Sequence, residues 1–254
     1  MKTCFIALII LIAAGAAIVS ADASQDDPAC AVAAPLVYAD YPLARAGKAL
    51  NKGQKLEIAV IGTGSSRLPG PSGTDLGYPA RLQPALAKRL SDVANKVTSY
   101  AKSSRNTAEM AKDIEKLLQE SKPTLVVWQT GTVDAMKGVD PDDFKASLET
   151  GIDALRRAGV DVILMNMQYS PRTETMIALN AYADTMRAVS QQQEVPLFDR
   201  FAVMKQWNEL GTFDLLAATK SIDTATRVHD CIAQLLADLI VEGVKMGAQP
   251  KAVQ

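Results

Sequence analysis

The residues best suited to chemistry stand in three short clusters, each directly after an apolar run. Gly62-Thr63-Gly64-Ser65-Ser66 follows residues 56–61. Gln129-Thr130-Gly131-Thr132-Val133-Asp134 follows residues 124–128. Asn166-Met167-Gln168-Tyr169-Ser170-Pro171-Arg172 follows residues 160–165. A serine on a glycine turn at a strand end is exposed enough to act as a nucleophile, so Ser65 and Ser66 are both candidates. The chain has one histidine, His229, so a serine hydrolase with a histidine base has no other choice. Gln129, Thr130, Gln168, Tyr169 and Arg172 are candidate binding residues, and Arg172 suits bidentate contact with a carboxylate or phosphate.

The same residues exclude other chemistries. One histidine cannot build a multi-histidine metal centre, and Cys30 and Cys231 are too far apart for a short-spaced zinc motif. Gly62-Thr63-Gly64 lacks the third glycine of a dinucleotide fingerprint and the lysine of a phosphate loop. Neither a metal nor a cofactor is expected.

Positioning these clusters takes an alternating series of strands and helices. Five of the six residues 56–61 are apolar, the pattern of a strand buried on both faces in a parallel sheet. Further strands are expected at 93–100, 124–128, 160–165 and 195–198. Helices are expected at 42–50, 78–90, 107–118, 141–158, 173–192, 201–210 and 224–244, with Gly159 as a stop. The alternation implies one three-layer α/β/α sandwich around a mostly parallel sheet of about five strands. In such a sheet the three clusters converge on the carboxyl rim.

Lys2, an apolar run over residues 5–19 and the small residues Ser20-Ala21-Asp22-Ala23 read as a cleaved secretory signal over 1–23. A polar, alanine-rich lead-in over 24–54, an α/β domain over 55–246 and a flexible tail over 247–254 complete the division. A periplasmic or secreted protein is expected, with no stable membrane insertion after signal cleavage. In an oxidising compartment the two cysteines left after cleavage, Cys30 and Cys231, are candidates for one disulfide. A net charge of −1 with 22% charged residues is no footprint for nucleic acid. Aromatic residues are 5% of the chain, too few to suggest a carbohydrate-stacking platform.

Over residues 56–240 the chain resembles the SGNH (GDSL-like) hydrolase superfamily, in a bacterial exported branch. The carriers are the strand into Gly62–Ser66, Tyr78-Pro79-Ala80-Arg81-Leu82, Val126 to Ala135, Gly138-Val139-Asp140 with Phe144, Gly159 to Leu164, and Cys231-Ile232-Ala233. The resemblance implies an SGNH/flavodoxin-like fold and ester hydrolysis, with Ser65 or Ser66 as the nucleophile, His229 as the base, Asp223 or Asp134 orienting the imidazole and the backbone N–H groups after Gly64 as oxyanion donors. The motif residues depart from the pattern. Aligned on Gly62, the nucleophile position falls on Gly64; aligned on Gly64, it falls on Ser66. The second block, Lys102 to Ala108, has no glycine. Val133 stands where the oxyanion asparagine belongs, although Asp134 is kept, and Thr226 stands three residues before His229. Two readings follow. One is an esterase acting on a small-molecule or glycan acyl ester, including one on the cell envelope. The other is a non-catalytic relative that binds a periplasmic ligand in the same crevice.

Overall fold

The structure is a computed structural model that describes residues 27–216 and 221–249. The expected signal segment therefore lies outside the described residues. Five strands form one sheet: β1 (Leu56–Gly62), β2 (Asn95–Ala101), β3 (Leu125–Gln129), β4 (Asp161–Met165) and β5 (Leu197–Phe198). Their order is β2-β1-β3-β4-β5 and every pairing is parallel. The helices are α1 (Ala44–Asn51), α2 (Gly73–Leu76), α3 (Tyr78–Arg89), α4 (Thr107–Glu120), α5 (Thr132–Lys137), α6 (Pro141–Arg157), α7 (Pro171–Met176), α8 (Leu179–Gln193), α9 (Arg200–Glu209) and α10 (Ile222–Ala248). Helix α10 packs on α1 and α3, while α4, α6 and α8 pack in a row. With the sheet between them, these two groups form the expected three-layer α/β/α sandwich.

The strands form where the apolar runs predict. All five residues of β3 are buried, and Trp128 is wholly enclosed, its indole nitrogen 3.3 Å from the Met110 sulfur of α4. Gly151 of α6 is the residue that leaves room for the Trp128 ring. Helix starts follow their capping residues. Asn106 and Glu109 close a capping box on α4, and Asp140 caps α6 ahead of Pro141. Helix α6 ends before Gly159, whose φ of +73° suits a glycine stop.

Two features differ from the sequence expectation. The helix expected over 173–192 is two helices, with Ile177 extended between α7 and α8. The periodicity of that stretch contains no glycine or proline to mark the break. A capping box on Ser170 and Thr173 starts α7 separately and two residues early. The short helices α2 and α5 were not anticipated, because four to six residues carry too little periodicity to register.

The fold is closed by one covalent tie. Cys30 and Cys231 form a disulfide across a sequence separation of 201 residues. It fastens the first described segment to the third turn of α10. No described helix is long and apolar enough to cross a membrane.

Candidate functional site

The parallel order places β1 and β3 side by side at the point where the chain reverses its direction of travel across the sheet. Crevices for ligands open at such points, outside the carboxyl ends of the strands. β1 delivers Thr63 and the tight turn Gly64-Ser65-Ser66 to this rim, and β3 delivers Gln129. Gln129 is fully buried and organises the turn. Its Oε1 accepts from Ser66 Oγ in a very short bond and from Tyr78 OH at 3.5 Å. Its Nε2 donates to Ser65 Oγ at 2.6 Å. Gly62 has no side chain because a Cβ there would collide with the Ser66 hydroxyl.

A cavity of about 620 Å³ opens above this turn, within the size range of small-molecule sites. Gly64, Ser65, Gln168, Tyr169, Arg172 and His229 all line it. Six of the residues expected at the site are thus brought together. Ser66 is enclosed beneath the turn rather than on the wall, its hydroxyl spent on Gln129. Ser65 is half-buried and lines the cavity, its hydroxyl accepting from Gln129 and lying 3.3 Å from the Thr63 hydroxyl. The tyrosine hydroxyl of Tyr169 donates to Glu174 at 3.1 Å, and its ring packs edge-on against Phe201.

The remaining candidates lie elsewhere. Asp134 is buried and accepts from the Thr107 backbone N–H at 3.0 Å and from the Thr107 hydroxyl at 2.9 Å. Thr130 meets that same hydroxyl at 2.6 Å. These three form a separate cluster that holds the N-terminus of α4 against the sheet. Burial raises the Asp134 pKa, and the Thr107 bonds oppose that rise. Asp223 sits exposed in the first turn of α10.

His229 is buried on α10. Its Nδ1 accepts a hydrogen bond from the Tyr78 backbone N–H at 3.0 Å, at the start of α3. A ring nitrogen that accepts carries no proton, so the neutral ring is protonated at Nε2. Burial, and then the charges of Arg200 and Arg81, push its pKa down to about 3. The imidazole is therefore neutral near pH 7. Among the described residues no hydrogen bond joins it to Ser65 or Ser66, and no carboxylate bonds to it. An ion pair between Arg81 and Asp230 at 3.0 Å braces α3 and α10 on either side of this contact.

Sequence reasoning missed Arg200. It stands just past β5, the last strand to end at this rim, and the same strand-end logic applied to Phe198-Asp199-Arg200 points to it. Asn166 and Asp199 fix it in place. Asn166 donates to Asp199 at 2.7 Å and accepts from Phe201 N at 2.8 Å, while Asp199 caps α9. Arg200 is wholly enclosed and lines the cavity. Its Nη1 donates to the Ser65 carbonyl at 3.1 Å and its guanidinium lies 5.7 Å from the Tyr78 ring centre. Its Nε and Nη2 have no partner among the described residues. Burial lowers its pKa to about 10 and raises that of the Tyr78 phenol to about 12, so near pH 7 the first is charged and the second neutral. The one described cluster with metal-ligand atom types is Asp27, Cys30 and Cys231, whose sulfurs are spent on the disulfide.

The model of the Non-GDSL lipase-like family matches residues 29–246. The chain belongs to that family. Members of the SGNH-like hydrolase superfamily share its fold, as solved structures illustrate. A mutant of Axe2, an acetyl-xylooligosaccharide esterase from Geobacillus Stearmophilus, superposes with a TM-score of 0.57 at 17% identity, over 73% of this chain and 94% of that one. LAE5, an alpha/beta hydrolase enzyme from the metagenome of Lake Arreo, Spain, gives a TM-score of 0.51 at 19% identity, over 70% and 96%. TesA is 28% identical over 56% of this chain and 76% of that one, with a TM-score of 0.48. A comparison with curated proteins finds no match. This member of the Non-GDSL lipase-like family thus shares its fold with solved hydrolases, with the motif departures noted above.

Proposed function

We propose that this protein is an exported SGNH-type hydrolase of acyl esters, with Ser65 as the attacking hydroxyl. One observation carries the reading: Ser65 lies on the wall of the rim cavity together with His229, in a chain of a lipase-like family. Ser65 Oγ attacks the acyl carbon, the alcohol leaves, and water then hydrolyses the acyl-serine. His229 takes the serine proton at Nε2 only after its own proton moves to Nδ1. That exchange requires the Tyr78 N–H···Nδ1 bond to open. Val133 and the missing glycine of the second block leave the backbone N–H groups around Gly64 as oxyanion donors. An acyl ester on a cell-envelope glycan is the substrate class suited to an exported chain.

A second reading is favoured by the same Tyr78–His229 bond together with the neutral, buried imidazole. In it the cavity binds a ligand without turnover, because the histidine is held as a fixed structural acceptor. One experiment separates the two. Purified protein is assayed with p-nitrophenyl acetate and with a fluorophosphonate probe, alongside Ser65→Ala and Ser66→Ala. The hydrolase reading expects labelling and turnover that vanish in Ser65→Ala and persist in Ser66→Ala. Turnover that survives both substitutions sinks the serine assignment. Absence of both turnover and labelling overturns the hydrolase reading.

A further inference from the structure

The cavity wall has a charge the rest of the molecule lacks. The chain as a whole is nearly balanced, with 27 basic and 28 acidic residues. Among the described residues three arginines line the cavity, Arg67, Arg172 and Arg200, and no aspartate or glutamate does. Arg200 is enclosed without a carboxylate partner, and two of its three nitrogens make no hydrogen bond among the described residues. Arg172 forms no ion pair among the described residues, and Arg67 donates to the Ser103 hydroxyl. A buried cation left unpaired is strongly unfavourable, so proteins pair such charges or keep them to bind an anion. The Tyr78 phenol beside it does not supply the missing charge, because it stays protonated. A neutral ester has no need of this arrangement.

The same cavity also has an apolar lining, made of Leu68, Met204, Leu215, Ile222 and Val228. A ligand that satisfies both kinds of lining has an anionic end and an aliphatic body. We propose that the rim cavity is a binding site for an amphiphilic carboxylate. Its carboxylate is held by Arg200 and Arg172, and its chain lies over the apolar lining from Leu68 to Val228. This deepens the acyl-site reading above and specifies an acidic ligand, either the free acid or an ester that bears a second, charged carboxylate.

Isothermal titration tests it with octanoate, octan-1-ol, acetate and inorganic phosphate on the wild-type protein, Arg172→Ala and Arg200→Gln, with folding of each variant checked by circular dichroism. A charge-assisted contact predicts that octanoate binds roughly 10- to 100-fold more tightly than octan-1-ol. The apolar lining predicts that acetate binds more weakly than octanoate. Arg172→Ala, at an exposed rim position, weakens octanoate about tenfold, and Arg200→Gln removes the preference for octanoate over octan-1-ol. If Arg200→Gln does not fold, the octanoate–octanol comparison and Arg172→Ala decide alone. Equal binding of octan-1-ol, no saturable binding of octanoate, or octanoate binding unchanged in the folded variants overturns the proposal. Binding of phosphate in place of octanoate overturns the carboxylate assignment. Failure here is distinct from failure of the hydrolase reading: ester turnover without octanoate binding removes this site alone, and octanoate binding without turnover removes only the hydrolase.

Discussion

His229 shows how one hydrogen bond decides what a titratable side chain does. The same imidazole that a sequence marks as a candidate base is, in the fold, an acceptor for the backbone N–H that opens α3. Its folded pKa of about 3 lies below the unfolded value of about 6.5. Above pH 6.5 the ring is neutral in both states and contributes no pH dependence. As pH falls from about 6.5 toward 3, the unfolded chain takes a proton that the folded one refuses. Stability should therefore drop by up to ~1.4 kcal/mol per pH unit across that window. Asp134 works in the opposite sense, since its raised pKa lets the folded state take a proton first on acidification. Urea unfolding midpoints at pH 7, 6 and 5 check this above most of the carboxylate range. The wild-type midpoint should fall, and that of His229→Asn, whose Oδ1 replaces Nδ1 as acceptor, should stay nearly level. Equal slopes in the two proteins would sink the assignment. The catalytic prediction also belongs to this scale. Of the two adjacent serines, Ser65→Ala should abolish p-nitrophenyl acetate turnover and Ser66→Ala should spare it, because only Ser65 reaches the cavity.

The element that frames the site is the turn between β1 and α2. It is tied locally: a single glutamine on the neighbouring strand bonds both serines of the turn and a tyrosine of α3. The geometry leaves no room at Gly62 for a side chain. Gly62→Ala should then destabilise the fold by about 1–3 kcal/mol through overpacking. Removing the hydroxyl that a Cβ would strike should return part of that loss, so Gly62→Ala/Ser66→Ala should unfold at a higher denaturant concentration than additivity predicts. Additive losses would mean that the turn shifts as a unit instead. At the same scale, Asp134 and Thr130 serve α4 rather than the cavity. The short helix α5 directs Asp134 back onto Thr107, after Gly131 adopts a φ of +96° that favours glycine.

At the scale of the whole molecule, α10 carries His229 and is anchored at both ends of its buried face. The disulfide to Cys30 holds its third turn, while α1 packs near its C-terminal end, where Leu43 N bonds the Gly243 carbonyl at 2.9 Å. Cross-linking residues 201 apart removes much of the freedom of the unfolded chain, an effect of about 2–5 kcal/mol. Cys30→Ser/Cys231→Ser should accordingly melt well below the oxidised wild type, and a thiol titration of the unreduced mature protein should find no free sulfhydryl. Two free thiols would overturn the tie. Formation of this bond fits the expectation, drawn from the sequence of residues 1–23, of an exported protein.

The sequence by itself determined the architecture. Apolar runs in residues 56–61, 124–128 and 160–165 are long enough and apolar enough to be strands buried on both faces, and the helices between them leave only a parallel three-layer arrangement. It also marked the rim, because polar residues at strand ends converge in any such sheet. Only the tertiary structure decided which of those residues share a cavity. Ser65 and Ser66 are neighbours in the chain, yet a tight turn puts one on the wall and the other beneath it. Asp134 is kept from the family pattern, yet the start of α4 consumes both its oxygens. Arg200 lies in an unremarkable stretch after a two-residue strand, and its meaning depends on the absence of any described carboxylate partner in three dimensions. Hydrogen-bond partners, tautomers and burial are set by residues distant in the chain, and periodicity along the chain carries no record of them.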